Sequence, residues 1–117
     1  RYRGDKFFWA GGQDNVSLSE STSVLNNFML HQNYPNPFNP ITTFRYDLPE
    51  NSFVDVTVYD MLGNVVNNLV NTNQTLGYKS IKWNATNNQG EPLSTGVYLY
   101  KIQAGSFIDT KKMILLK

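Results

Sequence analysis

The residues that could support catalysis are few and widely spaced. His31 is the only histidine, and Ser52 or Ser80 could in principle join it and an aspartate in a Ser-His-Asp triad. No G-x-S-x-G segment occurs, so neither serine has the local sequence of a nucleophile elbow. The chain also lacks cysteine, which excludes a Cys nucleophile and a Cys-based zinc site. We therefore predict that this chain is not an enzyme.

Several short segments could bind a ligand. The loops "DNVSLSE" and "NATNNQGE" carry oxygen atoms suited to calcium, but neither has the spacing of an EF-hand. "RGD" at Arg3–Asp5 can be an adhesion motif on an exposed loop, although three residues often match by chance and the apolar "KFFW" follows directly. We expect no cofactor, and calcium remains an open alternative.

Aromatic and charged residues bear on two further classes of partner. Trp83, Tyr98 and Tyr100 could form a platform that stacks on sugars, so carbohydrate binding is kept as an alternative. Alternation places these rings beside Ile81 and Ile102, which favours the core instead. The 10 basic and 9 acidic residues are dispersed and give a net charge of +1. Nucleic-acid binding usually needs a concentrated basic face, so we expect no such partner.

The elements that would position these residues are strands. From Phe28 onward the sequence has period two, with turn signals such as "LPENS", "DMLGN" and "QAGS" between the alternating runs. Gly63 and the glycine of "AGS", Gly105, stand where tight hairpins need a positive φ. The pattern predicts an all-β, immunoglobulin-like antiparallel β-sandwich of about seven strands without a disulfide. Trp83 and the tyrosines would then fill its core.

The chain divides into two parts. Residues 1–27 show no sustained period and are interpreted as a linker or the end of a preceding module, whereas residues 28–117 form the predicted sandwich. Because the first residue is Arg1 and not Met, we expect the sequence to be a fragment of a larger protein.

The segment "YPNPFNP", residues 34–40, joins the first strand to the rest. Its prolines fix φ and disfavour helix in the preceding residues. Asn33, Asn36 and Asn39 can close Asx turns onto their own backbone. We expect a stiff connection in which Tyr34 and Phe38 plug one end of the core.

Four motifs in order carry a family resemblance: "LHQNYPNPFNPITTFRYDLP", "VTVYDMLGNVV", "GYKSIKWNATNNQGEPLSTGVYLYKI" and "KKMILLK". Together they resemble the C-terminal sorting domain, type A, of type IX secretion cargo proteins and the related Ig-like domain of the flagellar hook-capping protein. In the hook-capping protein the chain continues around the Ig-like insertion, so an end directly after the last strand favours the sorting domain. The resemblance covers about residues 30 to 117.

The resemblance implies a function in export. Such domains end large secreted proteins of Bacteroidetes-like bacteria, which cross the periplasm to the outside or the cell surface. The partners it implies are the outer-membrane type IX translocon, a sortase-like peptidase that cuts the domain off, and the upstream cargo domain of the same chain. The cargo is then released or attached to the surface.

The resemblance also assigns residues. The sorting signal would lie in the last two strands, at the positions Gly96, Val97, Tyr98, Tyr100, Gly105, Lys111, Lys112 and Lys117. The first motif is matched by Pro35, Asn36, Pro37 and Phe38, and the second by Asp60, Gly63 and Asn64. The family often has Arg or Lys where Asn64 stands.

A physical mechanism accompanies this assignment. A terminal hairpin that displays two aromatics, an apolar stripe and a basic tip could be bound by a receptor through edge-strand pairing. The lysines would steer the encounter with an acidic surface, or they would only discourage aggregation at a strand edge. The alternative function is a carbohydrate-binding or spacer sandwich appended to a secreted glycan-degrading enzyme.

Overall fold

A computed structural model describes residues 26–116 of the chain. Within this range there are seven strands: β1 (Met29–Leu30), β2 (Thr42–Leu48), β3 (Ser52–Asp60), β4 (Val65–Gln74), β5 (Gly77–Trp83), β6 (Gly96–Ala104) and β7 (Phe107–Leu115). The same residues contain no helix of the length and apolarity that crossing a membrane requires.

The strands form two antiparallel sheets. One sheet has the order β1-β2-β5 and the other the order β4-β3-β6-β7. The predicted all-β, Ig-like antiparallel sandwich of about seven strands is confirmed. β7 is the last strand and forms one edge of the larger sheet.

Side-chain alternation builds the core, because successive residues of a strand face opposite sides of its sheet. In β2 the buried residues alternate with the partly or fully exposed ones. The residues with no exposed surface on the inner faces of the other strands include Val54, Val56, Val58, Ile102, Met113 and Leu115.

Aromatic rings pack between the two sheets, in a chain that has no cysteine for a disulfide. The ring centroid of Phe44 lies 4.7 Å from that of Tyr100 and 5.9 Å from that of Trp83. Phe38 extends the cluster, with its centroid 6.1 Å from that of Trp83. Tilted pairs at such distances add to the stability that area burial alone provides. The prediction that Trp83 lies in the core is confirmed, since it is 5% exposed.

Two tight turns have the glycine conformation that the sequence requires. Gly63 has a φ of +89° in the β3–β4 turn and Gly105 a φ of +59° in the β6–β7 turn. Residues with a Cβ rarely adopt such values, so glycine is the residue that allows both hairpins to close tightly.

The expectation for Tyr34 is wrong. Its side chain is 70% exposed, while Phe38 is 2% exposed and occupies the core as expected. Tyr34 forms an isolated antiparallel bridge with Thr43. Opposed residues of such a pair project to the same side, and Thr43 lies on the outer face of β2. Tyr34 therefore points to solvent.

Candidate functional site

The four sequence motifs meet at one end of the sandwich, which we call the motif end. It comprises Phe38, the β3–β4 turn at 61–64, Trp83, Gly96 and Leu115. Gly96 pairs with Leu115, and Asp60 pairs with Tyr98 two residues further along β6. Phe38 forms a parallel bridge to Leu115 and packs on Trp83. Residues far apart in sequence are thus brought to one surface.

The segment 34–40, which we call the proline segment, covers the last part of the free edge of β7 together with Gln32. The N–H of Phe38 donates to the carbonyl of Ile114 at 3.0 Å, and the N–H of Leu116 donates to the carbonyl of Phe38 at 2.9 Å. The N–H of Ile114 donates to Oδ1 of Asn36 at 3.0 Å, and Nε2 of Gln32 donates to the carbonyl of Lys112 at 2.9 Å. A partner strand therefore cannot pair with β7 from Lys112 onward without displacing this segment.

The hydrogen bond of Asn36 corrects one expectation. Its side chain accepts from β7 across the sandwich, whereas we expected an Asx turn onto its own backbone. Asn33 does bind locally, because its Nδ2 donates to the carbonyl of Pro35 at 3.1 Å. The difference arises because Asn36 lies beside the edge of β7, where the N–H of Ile114 points away from β6 and can donate to it.

Asn33 and Tyr100 connect the two sheets through a buried polar contact. The N–H of Asn33 donates to the hydroxyl of Tyr100 at 2.7 Å, and that hydroxyl donates to the carbonyl of His31 at 2.8 Å. Burial raises the pKa of Tyr100 to about 12, with the hydrogen bond from Asn33 opposing and the charge of Asp109 adding to the increase. Sequence reasoning missed this role of Asn33.

Nδ2 of Asn33 also donates to Oγ1 of Thr42 at 3.0 Å, and both residues are buried. The sequence did contain one signal for this role of Asn33. Thr42 is a polar residue at an inward position in the alternation of β2. A buried hydroxyl or amide needs hydrogen-bond partners, so Thr42 indicated that a polar residue packs against this end of the core.

Asp60 holds the β3–β4 turn at the motif end. Its Oδ1 accepts from the N–H of Leu62 at 2.9 Å and from the N–H of Asn64 at 3.0 Å. These bonds to the carboxylate lower the pKa of Asp60, with the backbone of Asn64 as the largest contribution. Nδ2 of Asn64 donates to Oδ2 of Asp60 at 3.3 Å. The side-chain amide of Asn64 thus adds a further hydrogen bond to this carboxylate.

The predicted recognition residues divide between surface and core. Gly96 and Val97 are half-buried and Lys112 is exposed, whereas Tyr98 and Tyr100 are buried. The mechanism that displayed both aromatics on the hairpin is therefore wrong. The alternation in β6 turns them inward, together with Ile102. Lys111 is half-buried.

One of the predicted recognition residues lies far from the motif end, and another lies outside the described residues. Gly105 occupies the β6–β7 turn, beyond the pair Ala104–Phe107 and thus at the opposite end of the sandwich. Lys117 lies outside the described residues, as do the "RGD" and "DNVSLSE" segments.

The residues considered for a catalytic triad and for a sugar-binding platform do not form these sites. Nε2 of His31 lies 3.0 Å from Oδ1 of Asp47. The hydroxyl of Ser52 donates to the carbonyl of Glu50. Ser80 lies opposite Arg45 of the neighbouring strand β2. The proposed triad therefore does not form. The platform of Trp83, Tyr98 and Tyr100 is buried, so these rings cannot stack on a sugar at the surface.

The loop "NATNNQGE" uses its oxygen atoms internally. Oδ1 of Asn87 accepts from the N–H groups of Gln89 and Glu91, both at 2.9 Å, and Nδ2 of Asn87 donates to Oε1 of Glu91. Between residues 26 and 116 no three His, Asp or Glu side chains come close enough together to bind a metal ion.

The fold and the motif end define an Ig-like module, and comparison with known proteins gives its family. Residues 40–106 match the FlgD Ig-like domain, so the chain belongs to that family. No curated protein matches the sequence.

Solved structures provide three similar folds. A structure of dimeric latent PorU from Porphyromonas gingivalis is 28% identical with a TM-score of 0.60, over 76% of this chain and 9% of that one. PorZ from the same organism, described as an essential bacterial surface component of the type-IX secretion system, is 21% identical with a TM-score of 0.53, over 85% of this chain and 13% of that one.

The third structure is FLGD from P. aeruginosa, which is 28% identical with a TM-score of 0.50, over 63% of this chain and 58% of that one. The chain therefore corresponds to a small part of the PorU and PorZ chains and to a little over half of the FLGD chain.

Proposed function

We propose that this chain is a non-catalytic C-terminal sorting domain that directs a larger cargo protein through the outer-membrane type IX translocon. Residues 28–117 would be the sorting unit and residues 1–27 the connection to the cargo. A sortase-like peptidase would then remove the domain, and the cargo would remain at the cell surface or be released. The fold shared with PorZ is consistent with this system, but the argument depends on the motif end.

The observation that supports the proposal best is the contact between the proline segment and β7. Asn36 and Phe38 hydrogen-bond the end of the last strand, so the first and last motifs form one folded surface. This contact protects the end of the β7 edge and also fixes the two motifs relative to each other. A recognition signal must keep a fixed shape for its receptor, since ordering a segment on binding costs affinity.

The accessible part of this surface is the outer face of the β6–β7 hairpin. Val97 pairs with Ile114 and Leu99 pairs with Lys112, and these four side chains project outward. Tyr98 and Tyr100 support the same strands from the core. A receptor that binds here would contact a short apolar stripe beside one lysine. Side-chain contact of this kind does not require the covered edge of β7.

Export of a fused reporter in a bacterium with a type IX system tests the proposal. Removal of residues 111–117 would be uninformative, because Met113 and Leu115 are fully buried and the sandwich would lose core. Lys112→Glu with Ile114→Glu instead changes two outward side chains. Arg45→Glu with Met29→Glu, on the outer face of the other sheet, is the matched control.

We expect the hairpin variant to keep its fold, shown by thermal unfolding, and to leave the reporter inside the cell. The control should export like the parent. Normal export of a folded Lys112→Glu, Ile114→Glu variant, or equal loss in the control, would contradict the proposal.

The second candidate is a structural spacer, which the family match to an Ig-like domain favours. A spacer would tolerate both surface variants, and its removal would lower the stability of the cargo without a change in export.

Carbohydrate binding would need exposed rings such as Tyr78, which is 77% exposed, because Trp83 is buried. A polysaccharide pull-down that compares the parent with Tyr78→Ala tests this alternative, since Trp83→Ala would disturb the core.

A further inference from the structure

β5 forms the edge of the smaller sheet, on the side opposite β1. We infer that this edge accepts an extended acidic peptide segment of a partner protein as an added strand. The inference goes beyond sorting, because it concerns a different sheet from the β6–β7 hairpin and a different ligand chemistry.

The direction of the backbone groups of β5 follows from its neighbour. The carbonyl of Arg45 accepts from the N–H of His31 at 2.9 Å, so the polar groups of Arg45 point toward β1. Arg45 lies opposite Ser80. In an antiparallel pair, residues that do not bond to each other turn their N–H and C=O groups away. The backbone of Ser80 therefore points to the free side of β5.

The same argument extends along the strand. Thr43 exchanges hydrogen bonds with Tyr34 at 2.9 and 3.0 Å, and Thr43 lies opposite Lys82. Alternate residues of a strand point their backbone groups to the same side, so those of Tyr78, at the other end of β5, also point to the free side. The N–H and C=O groups of Tyr78, Ser80 and Lys82 thus form an edge to which no group of the described chain hydrogen-bonds.

The other edges of the sandwich are protected over part of their length or are short. The proline segment covers β7, as described above. The N–H of Asn88 donates to the carbonyl of Val66 at 3.1 Å, and its Oδ1 accepts from the N–H of Asn68 at 3.2 Å, which covers the first half of β4. β1 is two residues long. Exposed strand edges favour pairing with other chains. At β5 no described residue hydrogen-bonds the outward groups of Tyr78, Ser80 or Lys82, so a partner strand has room along the whole strand.

The charge near this edge selects the partner. Lys82 and Arg45 project on the outer face, and Lys79 projects on the opposite side of β5. The carboxylate on the neighbouring strand β2 belongs to Asp47, and its Oδ1 lies 3.0 Å from Nε2 of His31. An added strand with carboxylates on both of its faces would meet a cation on each side. A second copy of β5 would bring further lysines to the edge, which disfavours self-pairing.

A pocket at one end of β5 can receive a side chain of the added strand. It has a volume of about 310 Å³ and is lined by Ile41, Lys82, Trp83 and Asn84. When a strand adds to a sheet edge, backbone hydrogen bonds provide affinity and pockets for alternate side chains provide specificity. An apolar residue next to a carboxylate fits this pocket, because Lys82 borders its apolar wall.

Binding of a fluorescent peptide to the full chain tests the inference. The probe is the hexapeptide Glu-Glu-Val-Thr-Val-Glu, and its neutral counterpart carries Gln for each Glu. We expect the acidic probe to bind about tenfold more tightly than the neutral one, and added salt to reduce the difference. Amide hydrogen exchange should slow on binding at Tyr78, Ser80 and Lys82, and not at Ile108 on β7.

Two variants separate the backbone and charge contributions. Ser80→Pro removes an outward N–H and should abolish binding, while Ser80→Thr retains that N–H and should bind like the parent. Lys79→Glu with Lys82→Glu should weaken the acidic probe at least about tenfold. Lys101→Glu with Lys112→Glu on the other sheet is the matched charge control and should have little effect.

If Ser80→Pro fails to fold, the charge variants and the exchange data still decide the question. Equal binding of the acidic and neutral probes, or slowed exchange elsewhere, would overturn the inference. It would also be overturned if Tyr78, Ser80 and Lys82 exchange slowly without any probe, because another part of this chain or a second copy would then occupy the edge.

Discussion

Phe38 and Leu115 form a parallel β-bridge in which the backbone of Phe38 donates to Ile114 and accepts from Leu116. Both side chains are buried in the core. The bridge joins the proline segment to the last strand and so makes two distant parts of the sequence depend on each other. Loss of either side should loosen the motif end as a unit.

Phe38→Ala should strongly destabilise the protein. Phe38 is 2% exposed and packs on Trp83, so its removal leaves a cavity as well as losing buried area. Phenylalanine to alanine changes in cores typically cost about 3–5 kcal/mol. Urea unfolding at neutral pH would measure the change. Tyr34→Ala, four residues earlier and 70% exposed, is the control and should change stability by less than about 0.5 kcal/mol.

Tyr100→Phe should destabilise the protein through hydrogen bonds alone. The change retains the ring that packs on Phe44 but leaves the N–H of Asn33 without its acceptor and the carbonyl of His31 without its donor. A buried group left without a partner costs about 1–3 kcal/mol. Tyr78→Phe, on the exposed ring, should be neutral. Equal unfolding free energies for Tyr100→Phe and the parent would show that water replaces the lost hydroxyl.

Gly63→Ala should cost more than Gly96→Ala. At Gly63 the φ of +89° is unfavourable for alanine although no atom lies within 4 Å of an added Cβ, so the cost comes from the backbone. Such conformations cost L-residues roughly 1–2 kcal/mol. At Gly96 an added Cβ would meet Tyr98 at 4.0 Å, an ordinary contact. Thermal unfolding of both variants would test this order.

Local pattern predicted much of the fold. The alternation of β2, β3 and β6 gave the inward residues, and "DMLGN" and "QAGS" gave the turns at Gly63 and Gly105. These features depend on residues within one strand or one turn, where steric preference acts directly. Alternation also placed Tyr98 and Tyr100 beside Ile102. The expectation that the hairpin displays these two tyrosines was wrong because it did not follow the alternation of β6.

Contacts between distant segments could not be predicted in this way. Nothing near Asn36 in the sequence indicates that Ile114 needs an acceptor, because that need arises only when β7 becomes an edge strand. The exposure of Tyr34 follows likewise from its pairing with Thr43. The sequence therefore did not indicate which segments meet at the motif end, and the hydrogen bonds that join them required the folded chain.

Alkaline pH should destabilise the protein through Tyr100. Its folded pKa of about 12 lies above the value near 10 of an unfolded tyrosine, so the unfolded chain loses this proton first. The stabilisation is complete below about pH 10 and is lost as the pH rises toward about 12. Burial raises the pKa of Tyr46 in the same direction. Urea unfolding between about pH 9 and 11 should show a shallower decline for Tyr100→Phe than for the parent, and an identical decline would mean that other groups control the alkaline transition.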